Sequence, residues 1–333
     1  MPLGRLSVEP RWALPGAPVL IRGALVPLPQ EGLPHVLVGT HDARVTAASR
    51  RGIRIVIPSG AEGGSMAVRI DELPGESGVV DVGRVITTGV HQVDSPLFDR
   101  QGRLYATHSG ERDTRVAAPL YRVGHDGVRE PLSVEIANPT SLALGPDGLV
   151  YVSSRFDGNV YRVTAADRAE LYAAELGVPT GLAFAPDGTL FVGDRSGSIF
   201  RVSPDRQVET FASLPSSVAA FHLAYGPDDC LYVTAPTFST RDVLYRITMD
   251  RLVTTAAEGF GRPQGLAFDS RGVLFVVDAL AGAAGLYRVD LKHARPEPER
   301  VLSAPALIGV AFDPIGGMVL ASNDTIWKLD VEA

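Results

Sequence analysis

VPTGLAFAPDGTLFVGDRSGSIFRVSPD, residues 178–205, decides the architecture. An alternating apolar run from Gly181 to Phe184 precedes the turn Ala185-Pro186-Asp187-Gly188. A second run, Leu190 to Val192, leads to a turn at Arg195–Gly197, and a third, Ile199 to Val202, stops at Pro204. Short β-prone runs punctuated by tight reversals read as an antiparallel meander. One meander of three or four strands cannot bury both faces, so it requires neighbours of its own kind.

The sequence supplies them. The third run returns as LYRV at 120–123, VYRV at 160–163, IFRV at 199–202, LYRI at 244–247, LYRV at 286–289 and IWKL at 326–329. Its aromatics, Tyr121, Tyr161, Phe200, Tyr245, Tyr287 and Trp327, lie 40, 39, 45, 42 and 40 residues apart. The first run agrees: SPLFD at 95–99, SLALG at 141–145, GLAFA at 181–185, HLAYG at 222–226, GLAFD at 265–269 and GVAFD at 309–313. A period of about 40–45 residues with four strands per unit is the spacing of a propeller blade. The expected fold is therefore all-β, with a six-bladed β-propeller over 83–333. The arginine after five of the six aromatics (Arg122, Arg162, Arg201, Arg246 and Arg288) recurs too regularly for a binding device. It is expected to pack along its stem and pair its head with nearby carboxylates.

Composition suits this reading, with 45% hydrophobic residues, 35 Gly and 25 Pro in 333 residues. A net charge of −7 gives no basic field for nucleic acid, and no run reaches the ~18 apolar residues of a membrane span. Cys230 is the single cysteine, so an intrachain disulfide and a thiolate metal cluster are excluded. The first twenty residues lack an uninterrupted apolar stretch, being broken at Pro10, Pro15 and Pro18. A cytoplasmic location is the default expectation, or an extracytoplasmic one if a leader has been removed.

Residues 1–72 lack the repeat. Val19–Ile21, Val36–Val38, Arg44–Val45, Ile53–Ile57 and Met66–Ile70 alternate as short strands between Gly and Pro turns, as in a small β-sandwich. VEP (8–10), PGAPVLIRG (15–23), VLVG (36–39), ARV (43–45) and IRIVIPSG (53–60) resemble the IPT/TIG immunoglobulin-like domain, although Leu25 stands where that family carries an aromatic. Some relatives of that domain bind DNA, and Arg44, Arg50, Arg51 and Arg54 could form a phosphate patch. Yet residues 1–76 hold eight arginines against seven carboxylates, too even a balance for counterion release. The acidic, Gly/Pro-containing stretch over 73–82 reads as a linker. The last meander has three strands where four are needed. GRVITTG (83–89) is the strand expected to fill the vacant place and close the ring.

In such a ring the first strand of each blade lines the channel and begins at one face. Asp94, Thr140, Thr180, Phe221, Gln264 and Ile308 should ring that mouth, followed by Ser95, Ser141, Gly181, His222, Gly265 and Gly309. Loops between second and third strands open on the same face and are long at 109–118, 236–242 and 279–285, where function tends to reside.

PTGLAFAPDGTLFVGD (179–194) and PQGLAFDSRGVLFVVD (263–278) resemble the propellers of the senescence-marker-protein/gluconolactonase and NHL-repeat group, over about 81–333. That resemblance implies a divalent ion, calcium or zinc, held in the channel by acidic and amide side chains and acting on lactones or esters. Asp94 falls where the family's glutamate would lie, while Thr140, Thr180 and Gln264 fall where its other ligands would lie. One carboxylate with three neutral groups is a poor cage for a hard cation. Two functions remain open. The first is a cofactor-free binding module, whose mouth, formed by Thr140, Thr180, Phe221, His222, Gln264, Asp194 and Asp278, takes a protein, carbohydrate or small ligand. The second is a metal-dependent hydrolase with Asp94 as ligand and His222 as base.

Overall fold

The structure, a computed structural model, describes residues 6–23, 26, 28–61, 63–73, 77–111, 115–293 and 295–329. Leu25, residues 112–114 of the first long loop and residues 330–331 of the last expected strand lie outside these. Every regular element described is a β-strand.

The amino-terminal unit packs two sheets face to face. Its strands are β1 (Ser7–Glu9), β2 (Trp12–Ala13), β3 (Pro18–Arg22), β4 (Val36–Val38), β5 (His41–Asp42), β6 (Arg44–Ser49), β7 (Gly52–Val56), β8 (Gly64–Ile70) and β9 (Ser77–Val82). One sheet runs β1-β3-β7-β6, and the other contains β2-β9-β8-β4-β5. Period-2 alternation sends Val19, Ile21, Ile53 and Ile55 inward from the first, to meet Val36, Val38, Val68, Ile70 and Val80 from the second.

One expectation is corrected here. Residues 77–82, read as linker, form β9 and pair with Gly64–Arg69 of β8, because Val80 and Val82 alternate with outward-facing neighbours and belong to the sandwich core. The sandwich is also joined to blade five. Its β2 inserts between β9 and the outer strand of blade five (Glu299–Ser303), parallel to both. Leu14 N donates to Ser303 O (3.0 Å) and Gly83 N to Ala13 O (3.0 Å), while the Leu14 side chain is fully buried in the propeller core. This covers a strand edge that would otherwise face solvent unpaired.

Beyond β9 lie six four-stranded antiparallel meanders, whose inner strands are Leu97–Phe98, Pro139–Leu144, Pro179–Phe184, His222–Tyr225, Pro263–Phe268 and Gly309–Phe312. Each inner strand contacts the next, and the sixth contacts the first, so the ring is closed. The vacant place in the sixth meander is filled by β10 (Arg84–Thr88), which pairs antiparallel with Thr325–Leu329. Chain ends thus meet in one blade, and no blade edge is left open there.

Third-strand arginines behave as structural pairs. Arg122, Arg162, Arg201 and Arg288 stand directly opposite Glu130, Glu170, Glu209 and Glu299 on the fourth strands and form ion pairs with them, and Arg246 pairs with Asp228. Exposed cross-strand pairs of this kind are worth under about 1 kcal/mol each and set register more than stability. First-to-second strand turns use Asp side chains to accept following amides, as Asp147 does from Leu149 N (3.1 Å) and Asp187 from Thr189 N (2.9 Å). Cys230 is buried and unpaired, with burial pushing its thiol up.

Candidate functional site

The axis is assembled from the residues that open each inner strand. Asp94, Thr140, Thr180, Phe221 and Gln264 are buried and Ile308 is half-buried. One position further along the chain come Ser95, Ser141, Gly181, His222, Gly265 and Gly309. At this level the strands converge so closely that three blades carry no side chain. A Cβ on Gly265 would lie 2.6 Å from Ser95 Oγ and from Ile308 O, and one on Gly181 would lie 2.5 Å from Phe221 O. On Gly309 it would press into the backbone of Ser95.

Within this convergence Asp94 from blade one, Ser141 from blade two and His222 from blade four meet through their side chains. Blades one and four are opposite in the ring, yet His222 Nδ1 lies 2.6 Å from Asp94 Oδ1. Ser95 N donates to the same oxygen (2.6 Å), and Ser141 Oγ donates to Oδ2 (2.5 Å) while accepting from Leu182 N (3.1 Å). Asp94 is 7% exposed and His222 1%. A carboxylate only accepts, so His222 carries its proton on Nδ1 toward Asp94 and presents Nε2 as the remaining nitrogen. That Nε2 is buried without a partner. Asp94 therefore orients an imidazole across the axis, whereas the Ser141 hydroxyl bonds the carboxylate rather than the imidazole. A serine relay of nucleophile to base is not assembled.

The structure brings Asp94 and His222 together, and the other expected residues take part in bonds or packing of the blades, Gln264 through its backbone carbonyl. Thr140 Oγ1 donates to Asn138 O (3.2 Å), and Thr180 Oγ1 accepts from Phe221 N (2.8 Å). Gln264 O accepts from Thr234 Oγ1 (2.5 Å), and Phe221 is a fully buried core residue between blades three and four. Asp194 accepts from Val178 N (2.7 Å) and from Ser196 Oγ, and Asp278 accepts from the amides of Gly261, Arg262 and Leu280. These two carboxylates cap turns, where amides unpaired by the ladder need an acceptor.

A divalent ion does not fit this donor set. Both Asp94 oxygens are engaged by protein donors, the glycine positions offer nothing, and the described residues contain no group of three His, Cys, Asp or Glu able to hold a metal.

Two features escaped the sequence reading. Gln92 and Asn138 tie the mouth together beside blade one: Gln92 Oε1 accepts from Thr107 Oγ1 (2.7 Å), and Asn138 Nδ2 donates to Ser109 O (2.6 Å). Nearby, burial pushes the His91 imidazole below its usual value, with Arg155 and His108 acting in the same direction. The second feature is a trough of about 930 Å³ on the mouth face, between Pro215–Val218 and Thr237–Val243. The length of the 236–242 loop was its only sequence signal.

No protein-family model matches the chain, and no curated protein matches it. Solved structures do resemble it in fold. An auxiliary nutrient binding protein from Bacteroides ovatus matches with a TM-score of 0.57 at 13% identity, covering 99% of this chain and 98% of that one. A gluconolactonase from Xanthomonas campestris gives 0.61 at 17% identity, covering 74% and 89%. A catalytically inactive virginiamycin B lyase from Staphylococcus aureus, with quinupristin, gives 0.55 at 16%, covering 89% and 96%. At such identities the likeness establishes the β-propeller and leaves function to the site.

Proposed function

We propose that this chain is a binding module that reads a ligand over the mouth of its propeller, with the axis beneath acting as a rigid scaffold. One observation carries this: both oxygens of Asp94, the sole carboxylate among the six rim positions, are held by His222, Ser95 and Ser141. A carboxylate engaged in this way holds the axis together, with Oδ1 accepting from two donors and Oδ2 from a third. The nutrient binding protein of similar fold, matched along nearly its whole length, supports the same reading. The amino-terminal sandwich, an IPT/TIG-like module in this proposal, holds the propeller through β2 and needs no cofactor to do so.

A second reading is favoured by the unpartnered Nε2 of His222. Here the imidazole, oriented by Asp94, takes the proton of a water attacking a lactone carbonyl. It requires the mouth to open, since Nε2 is shielded. Hydrolysis of gluconolactone by the wild type and by His222→Gln separates the two. The binding reading predicts the buffer rate for both proteins. Turnover above buffer that falls about a hundredfold or more in His222→Gln would establish the hydrolase.

A further inference from the structure

The trough on the mouth face is lined by three exposed arginines, Arg195 from blade three, Arg241 from blade four and Arg262 at the entry to blade five. None forms an ion pair among the described residues, whereas the third-strand arginines described above all do. The single carboxylate in the lining, Asp242, is buried and already accepts from Thr237 N (3.2 Å) and Thr237 Oγ1 (2.7 Å). A protein of net charge −7 thus gathers three guanidinium groups, none in an ion pair among the described residues, against one carboxylate in a single trough. Arg241 is steadied by donating to Gly259 O (2.8 Å), which leaves most of its N–H fork outward. Beside it Phe238 is 96% exposed, a flat apolar plate standing in water.

We infer that this trough binds an acidic oligosaccharide, its oxyanions paired with Arg241 and Arg262 and one sugar ring laid on Phe238. The inference rests on the mouth-face reading above and names its ligand class. Guanidinium forks match carboxylate geometry, and an exposed aromatic plate meets the apolar C–H face of a pyranose. The walls argue against an extended acidic peptide, which would seek backbone donors and acceptors. Four of the lining amides already have acceptors: Ser217 N bonds Arg195 O, Val218 N bonds Pro236 O, Ser239 N bonds Thr237 Oγ1, and Thr237 N bonds Asp242. What the trough presents most plainly is its side chains, the three guanidinium groups and the Phe238 ring. Its volume suits a ligand of a few sugar rings.

Calorimetric titration of the full chain with tetragalacturonate tests this, with cellotetraose as the neutral arm and tetraglutamate as the peptide arm. Tetragalacturonate should bind, more weakly as salt rises, and clearly better than either comparison ligand. Arg241→Gln combined with Arg262→Gln should weaken it about tenfold or more, and Phe238→Ala about fivefold. All three side chains are exposed, so unchanged melting would show the variants folded. Equal affinity in wild type and the arginine variant overturns the trough assignment while leaving a mouth-face ligand in place. Absent binding, equal binding of cellotetraose, or tighter binding of tetraglutamate overturns the ligand class. Lactone turnover lost in His222→Gln would instead remove the underlying reading.

Discussion

Asp94→Ala should lower the unfolding free energy of the propeller by about 3–5 kcal/mol. The substitution removes one carboxylate and orphans several partners at once. His222, 1% exposed, would have neither ring nitrogen bonded, and Ser141 and the Ser95 amide would each lose an acceptor inside a water-poor axis. Asp94→Asn keeps the shape and one acceptor oxygen, so its loss should be smaller. Denaturant titration measures both. An Asp94→Ala chain within about 1 kcal/mol of the wild type would mean that the axial bonds do not hold the blades together.

Gly309→Ala is the second large effect expected, a loss of about 3 kcal/mol. A Cβ there meets the backbone of Ser95 and Asp94 O, and no flexible side-chain end lies in its path to swing aside. Relief requires blades one and six to separate, which breaks the contact that closes the ring. Gly32→Ala provides the comparison. Its positive φ of 81° carries the conformational penalty, but no atom lies within 4 Å, so about 1 kcal/mol is expected. Equal losses at the two positions would show that convergence at the axis is not the reason for glycine at 309.

Much of this fold was legible because it is written in local patterns repeated. LYRV-type strands and Asp-Gly turns recur at blade spacing, and a missing fourth strand pointed to 83–89 by simple counting. The misread linker shows the limit of composition. DELPGESGVV is acidic and Gly-rich, which obscured the short alternation placing Val80 and Val82 in the sandwich core. Asp94 and His222 could each be placed at the rim from strand phase. Their meeting could not be read, since it joins residues 128 apart across the full ring and depends on three glycines letting the strands close in. Hydroxyls such as those of Thr140 and Thr180 read equally well as ligand contacts or backbone partners, and only register decides. Arg195, Arg241 and Arg262 form no cluster in sequence, so the trough had no charge signature there.

Titrating calcium and zinc while following the melting temperature tests the central claim most directly, because an ion bound at the axis must stabilise the folded state by mass action. The donor set around Asp94 predicts no shift for wild type at millimolar calcium or micromolar zinc, and the same melting temperature after chelator treatment. A rise of several degrees that vanishes in Asp94→Asn would contradict it, showing the axial carboxylate free to take a metal.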